Sequence, residues 1–430
     1  MSMTLAASVE TPSRFRLIAA VSIGNALEYF DLTLFTFFAV TIGKLVFPTQ
    51  APGTQILLSL GIYGTGYCAR PLGGLVIGAY GDRRGRKAAV NLTLVLMAVG
   101  TALIGLTPTY EQAGLLAPFV VLAGRLLQGF SAGGETGAST TLLAESAPAD
   151  ERGFFASWQS ASQGLAVMLG AGVVWLLSVS LSPDIMASWG WRLPFLCGIG
   201  IVPVGLYLRR AVEETLEPAP AKAAAAHSPV GDVVRLHWSS VLWALLGMLG
   251  ANASYVILNL YMPTYDVREL GLSPASTSAA AMVGGAFMLL FSPIGGVLTD
   301  RFGRKTFLVL SRVLVIVLTY PAFLLLTAAP STTGLLLIIA VMSAVQGLGS
   351  GFFIALTENF PKNVRVTGFS SVYALGVMLS GGFGQLIVTW LIEVTGSKLA
   401  PAFYVIAIGL ASLVGILNLN YRTGREETGA

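Results

Sequence analysis

The most regular feature of this chain is the length of its apolar runs. Hydrophobic residues neither alternate nor mark one narrow helical face. They fill blocks of about 20 residues separated by short polar connections. An α-helix rises about 1.5 Å per residue, so a block of about 20 residues crosses the roughly 30 Å hydrocarbon layer of a bilayer. Twelve such blocks lie near residues 17–42, 54–80, 88–107, 115–145, 153–180, 191–209, 239–265, 275–299, 306–328, 333–357, 366–392 and 401–420. The pattern predicts an all-α membrane protein of twelve transmembrane helices. A cleavable signal peptide is not expected, because the first block is long and leads straight towards the second.

Two of the connections are near copies, 218 positions apart. Gly78-Ala-Tyr-Gly-Asp82-Arg83-Arg-Gly85-Arg86-Lys87 is matched by Gly296-Val-Leu-Thr-Asp300-Arg301-Phe-Gly303-Arg304-Lys305. Related halves must turn the chain at the same depth, so the repeat predicts two pseudo-symmetric six-helix bundles. Gln128-Gly129 recurs as Gln346-Gly347, and Gly133 and Gly137 recur as Gly351 and Ala355. Glu145-x-x-Pro148-x-x-x-Arg152 recurs as Glu358-x-x-Pro361-x-x-x-Arg365. The stretch 211–237 is rich in Ala and Pro and reads as a cytoplasmic linker. The expected organisation is therefore 1–210 for the first bundle, 211–237 for the linker and 238–430 for the second. Glycines four apart are expected to let helices approach closely rather than to touch a ligand.

Composition agrees with lipid as the main solvent. Charged residues are 11% and hydrophobic residues 54% of the chain, and the mean hydropathy is +0.76. With both termini on one side, 18 of the 25 Lys and Arg collect there, four fall on the other side, and Arg70, Arg125 and Arg312 fall inside spans. That asymmetry predicts cytoplasmic termini. The basic balance thus follows from topology and calls for no nucleic-acid partner. Cys68 and Cys197 have no metal-ligand spacing and are expected to be packing residues.

The informative residues are those that lipid disfavours, since a charge at mid-bilayer costs at least about 2.5–3.5 kcal/mol. Asn25, Glu28 and Asp31 recur every third residue of span one, the carboxylates about 18–22 Å beyond Arg16. Arg70 stands roughly 18 Å above Asp82 in span two. Arg125, Gln128 and Glu135 share an arc of span four, and Gln159, Ser162 and Gln163 a face of span five. This set suggests a central polar cavity; the alternative is that both arginines are salt-bridged to Glu28, Asp31 or Glu135 and lock the bundle. In the second half Arg312 enters its span by only about 10 Å, and Glu358 and Glu393 are terminal. Asn252, Tyr255 and Asn259 share one face of span seven, suited to hydrogen-bonding a solute, while Tyr265 is expected in an interfacial belt. His227 and His237 both fall in the linker region, so proton coupling is left to Glu28, Asp31 or Glu135. The twin loops suggest a gate, with Asp82, Arg83 and Arg86 in one and Asp300, Arg301 and Arg304 in the other.

The twin Gly-x-x-x-Asp-Arg-x-Gly-Arg-Lys loops and Arg125-x-x-Gln128-Gly129 resemble the motifs of the major facilitator superfamily. Gly24-Asn25-Ala-Leu-Glu28-Tyr29-Phe30-Asp31, Arg70-Pro71-Leu-Gly73-Gly74 and Trp189-Gly190-Trp191-Arg192 are similar to its metabolite/proton symporters. Gly124 to Gly133, Ser157 to Gln163 and Tyr261 to Tyr265 look most like the citrate/tricarballylate branch. The resemblance implies a proton symporter that imports an organic di- or tricarboxylate by alternating access. A zwitterion such as proline or betaine, or a monocarboxylate, is the alternative cargo; a non-transporting receptor on the same fold is a remoter one. The expected binding residues are Arg70, Arg125, Gln128, Gln159, Ser162, Gln163, Asn252, Tyr255 and Asn259. No catalysis, cofactor or metal is expected, and the partners are the organic anion, protons and the lipid bilayer, with function as a monomer.

Overall fold

The computed structural model describes residues 14–47, 52–84, 86–200, 203, 206, 207, 237–361 and 365–419. Twelve principal helices occupy the predicted blocks: α1 (Arg14–Phe37), α2 (Pro52–Arg84), α3 (Arg86–Gly105), α4 (Leu116–Glu145), α5 (Arg152–Ser180) and α6 (Arg192–Ile199). The second half follows as α7 (Trp238–Glu269), α8 (Pro274–Phe302), α9 (Arg304–Ala328), α10 (Thr332–Glu358), α11 (Arg365–Thr395) and α12 (Ala400–Asn418). Among the described residues there is no strand, and nine of these helices (α1, α4, α5 and α7–α12) are long and apolar enough to cross a membrane. The protein is an all-α membrane protein of two six-helix bundles. The linker expected over 211–237 lies, apart from His237, outside the described residues.

Large apolar side chains face outward on many helices: Leu72, Phe119, Val317 and Val394 are all more than half exposed. Only lipid makes such a surface favourable. Cys68 and Cys197 are exposed on the same outer surface. The expectation that they pack inside fails, because their positions on α2 and α6 face away from the bundle.

Small residues set the helix crossings. A Cβ on Gly129 of α4 would overlap the Gly66 carbonyl of α2, and one on Gly133 would overlap the Arg70 carbonyl. Packing is therefore the geometric role of these glycines. In the second half Gly347 of α10 meets Phe291 and Ser292 of α8, repeating the α4–α2 contact. The halves meet where Gly164 of α5 crosses Gly285 of α8 and Gly64 of α2 crosses Gly382 of α11.

The repeated loop explains one of its own residues. Gly303, between α8 and α9, has φ 96° and ψ 145°, a conformation that L side chains resist. Three second-half helices also change their winding at mid-length. Helix α7 has a π-helical turn at Val256–Tyr261, α11 one at Met378–Gly382, and α10 a 3-10 turn at Gly349–Gly351. Such turns free backbone groups and usually mark functional places.

Candidate functional site

The charged groups of the first half are brought together by α1, α2, α3 and α4. Glu28 of α1 and Arg70 of α2 form an ion pair of 2.6 Å with both side chains about 3% exposed. Arg70 also lies over the Tyr67 ring, 4.4 Å from its centroid. Among the described residues its Nε and Nη1 and the Glu28 Oε2 have no hydrogen-bond partner. One arginine is thus half-locked, with donors still to satisfy.

Arg125 is held differently. Its Nη1 donates to Gln128 Oε1 at 2.8 Å and its Nη2 to the Tyr63 carbonyl at 3.3 Å. The guanidinium lies between the Phe35 and Tyr63 rings, 4.9 Å from each centroid. Among the described residues no carboxylate pairs with it, and its Nε has no acceptor. Gln128 passes the network on by donating from Nε2 to Asp31 Oδ2 at 2.9 Å, and Thr101 donates to the same oxygen. Asp31 is therefore held only by neutral donors. The salt-bridge lock weighed from the sequence holds for Arg70 and fails for Arg125. Thr101 joins this set although nothing about one Thr in span three marks it in the sequence.

Glu28, Arg70, Arg125, Gln128 and Tyr67 line a chamber of about 10 Å³, room for little more than a water. A second chamber of about 80 Å³ lies between the halves. Gln163, Asn252 and Tyr255 line it, together with Tyr29, Tyr373 and Arg312. Tyrosines of three helices meet in its lining. Tyr29 and Tyr373 share a hydroxyl–hydroxyl hydrogen bond of 2.9 Å, and the Tyr255 ring stands edge-on to Tyr29 at 5.4 Å. Both chambers fall below the roughly 300–1,000 Å³ usual for ligand pockets, so substrate access requires movement of the residues that line them.

Other expected residues are used elsewhere. Asn25 Nδ2 donates to the Gln159 carbonyl at 3.0 Å and to Ser162 Oγ at 2.7 Å, while Gln159 Nε2 donates to Asn25 Oδ1 at 2.8 Å. This amide clamp joins α1 to α5, and neither Gln159 nor Ser162 lines either chamber. Asn259 Nδ2 donates to Gln346 Oε1 at 3.0 Å, fastening α7 to α10. Glu135 is buried on α4 and lines neither chamber. Tyr265 is fully buried and donates to the Lys398 carbonyl at 2.7 Å. Its expected place in an interfacial belt is corrected, because its ring packs edge-on to Phe323 at 5.4 Å inside the second half.

The two ends of the molecule differ. At the end carrying the repeated loops, Asp300 accepts from the Gly153 and Phe154 amides at the start of α5, both at 2.9 Å. A carboxylate there meets free N–H groups and the positive helix end. Arg304 donates to Asp300 at 3.0 Å and grips Glu358 with Nε and Nη2, both at 3.1 Å. Arg365 pairs with Glu145 at 3.6 Å across the halves. Arg301 is exposed, and the side chains of Asp82, Arg83 and Arg86 lie outside the described residues. At the opposite end a cavity of about 650 Å³ opens between the halves, lined by Thr36, Lys44, Ser178, Arg268 and Ser278.

Two apolar-surfaced bundles, joined by charged contacts at one end and enclosing charges at mid-depth, define a membrane carrier. The family model of the Major Facilitator Superfamily matches residues 21–370 and 267–429, and the chain belongs to that superfamily. The citrate-proton symporter of Klebsiella pneumoniae is 38% identical, with 95% of this chain and 92% of that protein covered. The citrate-proton symporter of Salmonella typhi is 36% identical, covering 96% of this chain and 95% of that protein. The proline/betaine transporter of Escherichia coli K12 is 32% identical, covering 96% and 85%. Among solved structures, the D-xylose-proton symporter superposes with a TM-score of 0.75 at 16% identity, covering 95% of this chain and 98% of that one. That likeness concerns the fold alone.

Proposed function

We propose that this protein is a proton-coupled symporter that imports an organic di- or tricarboxylate, citrate-like, across the bacterial inner membrane. The observation that carries the reading is Arg125, a buried guanidinium with no carboxylate partner among the described residues, beside an Arg70 with unspent donors. Guanidinium forks match carboxylates two bonds at a time, so an incoming anion supplies what the fold leaves open. The two citrate-proton symporters at 36–38% identity support the same cargo.

Asp31 is the residue we assign to the proton. Glu28 is already neutralised by Arg70, whereas Asp31 meets only neutral donors and connects to Arg125 through Gln128. Protonating Asp31 removes a negative charge next to the anion site, which couples the two ligands. Glu28 and Glu135 are the alternatives. On charge asymmetry both termini are cytoplasmic, with 1–210 and 238–430 as the two bundles and 211–237 as their linker. The Asp300 end is then the cytoplasmic gate, with Arg301, Arg304, Asp82, Arg83 and Arg86 in its loops. The protein acts as a monomer.

Uptake of a zwitterion is the second reading. It is favoured by the 32% identity to a proline/betaine transporter and by the Glu28–Arg70 pair, which offers one charge of each sign. Whole-cell uptake of labelled citrate, 2-oxoglutarate, shikimate and proline at two external pH values separates them. Citrate uptake that rises at acid pH and collapses with a protonophore is expected. Proline uptake indifferent to competing carboxylates would sink the carboxylate reading.

A further inference from the structure

Arg312 lines a different chamber from Arg70 and Arg125. It is 8% exposed, on α9, and lines the chamber between the halves. Its Nη1 donates to the Gly250 carbonyl at 2.8 Å and to Ser254 Oγ at 3.0 Å, both on α7. Its Nε has no acceptor, and among the described residues no carboxylate pairs with it. A guanidinium carries five donors, and two neutral acceptors leave most of its charge uncompensated. Tying α9 to α7 would need only a neutral donor, and a buried cation is a costly substitute for one.

The rest of that chamber has the complementary chemistry. Among the described residues the buried Tyr255 hydroxyl has no partner; Gln163 adds an amide from the first half, and Asn252, which already donates to Ser380 Oγ at 3.2 Å, adds one from the second. We propose that the Arg312 chamber is a second carboxylate subsite, so that a di- or tricarboxylate bridges Arg312 of the second half and the Arg70–Arg125 pair of the first. Tyr29 on α1 follows Glu28 of the first chamber in sequence and lines the second with Tyr373 on α11, so a ligand that reaches both chambers requires this hydroxyl pair to part. A single ligand would then touch both halves through its two charged ends. A zwitterion or monocarboxylate satisfies one side only, so Arg312 selects for the number of carboxylates. This assignment rests on the carboxylate reading above and adds its second anchor.

The test measures citrate binding by calorimetry on the purified full-length protein, for the wild type, Arg312→Gln and Arg312→Lys. Losing a charge-assisted contact should weaken citrate binding about 10- to 100-fold in Arg312→Gln. Arg312→Lys should fall between, since it keeps the charge but not the fork. Citrate affinity within about twofold of wild type in a folded Arg312→Gln protein overturns the subsite and leaves the carboxylate reading intact. A wild-type protein that binds no polycarboxylate overturns the carboxylate reading, and the subsite with it. A second measurement avoids altering Arg312. Ser311 lines the same chamber, so Ser311→Cys, with Cys68 and Cys197 replaced by Ser, is treated with N-ethylmaleimide. Citrate should slow the labelling, and equal rates with saturating citrate overturn the proposal.

Discussion

At the residue scale the account turns on which buried charges are already answered inside the protein. Arg70 has Glu28 at 2.6 Å, whereas Arg125 has an amide, a carbonyl and two aromatic rings. Removing Arg125 should therefore cost substrate recognition more than folding. Arg125→Ala is expected to lower citrate uptake by about 100-fold or more, as loss of a buried charged contact does, with expression retained. Uptake within about threefold of wild type would contradict the assignment. Asp31→Asn keeps the hydrogen-bonding shape but cannot carry a proton. It should still exchange citrate for citrate across the membrane and lose acid-driven accumulation; accumulation that persists would move the proton to Glu28 or Glu135. The sequence exposed the mid-membrane charges but not their partners. Gln159, Ser162 and Gln163 share one face of α5, yet the first two are bound to Asn25 and only Gln163 reaches a chamber. The same holds for the surroundings of Arg312. Counting residues up α9 gives its depth, whereas its placement depends on the Gly250 carbonyl of α7.

At the element scale the repeat is the strongest signal, because both copies must solve the same packing problem. The α4 glycines against α2 and Gly347 of α10 against α8 are one solution used twice. Gly303 shows what the loop motif demands of its glycine. At φ 96° any side chain is strained, so Gly303→Ala should cost about 1–3 kcal/mol and lower the melting temperature of the purified protein. An unchanged melting temperature would mean the turn relaxes freely. Helix boundaries were legible to within a few residues, since the apolar blocks set them. The π-helical and 3-10 turns of α7, α10 and α11 were not, because they arise from crossings between helices and leave no period in the chain. Tyr265, expected in an interfacial belt, is buried in the interior of the second half.

At the scale of the whole molecule the two ends are unequal. At one end Asp300 and the Arg365–Glu145 pair join the halves, while a cavity of about 650 Å³ lies between them at the other. Breaking the Asp300 contacts should release the joined end and shift the population between states. In Asp300→Asn, a cysteine placed at Ser157, where α5 meets Gly296, should react with a thiol reagent several-fold faster than in the parent. Equal reactivity would mean that Asp300 is an ordinary helix cap. The account's central claim is that this carrier couples a polycarboxylate to protons through Arg125, and purified protein in liposomes tests it most directly. With labelled citrate and acid outside, we expect accumulation that a protonophore abolishes and that is absent in Arg125→Ala vesicles. Citrate that stays outside under every imposed pH or voltage gradient, while labelled proline enters, would contradict it.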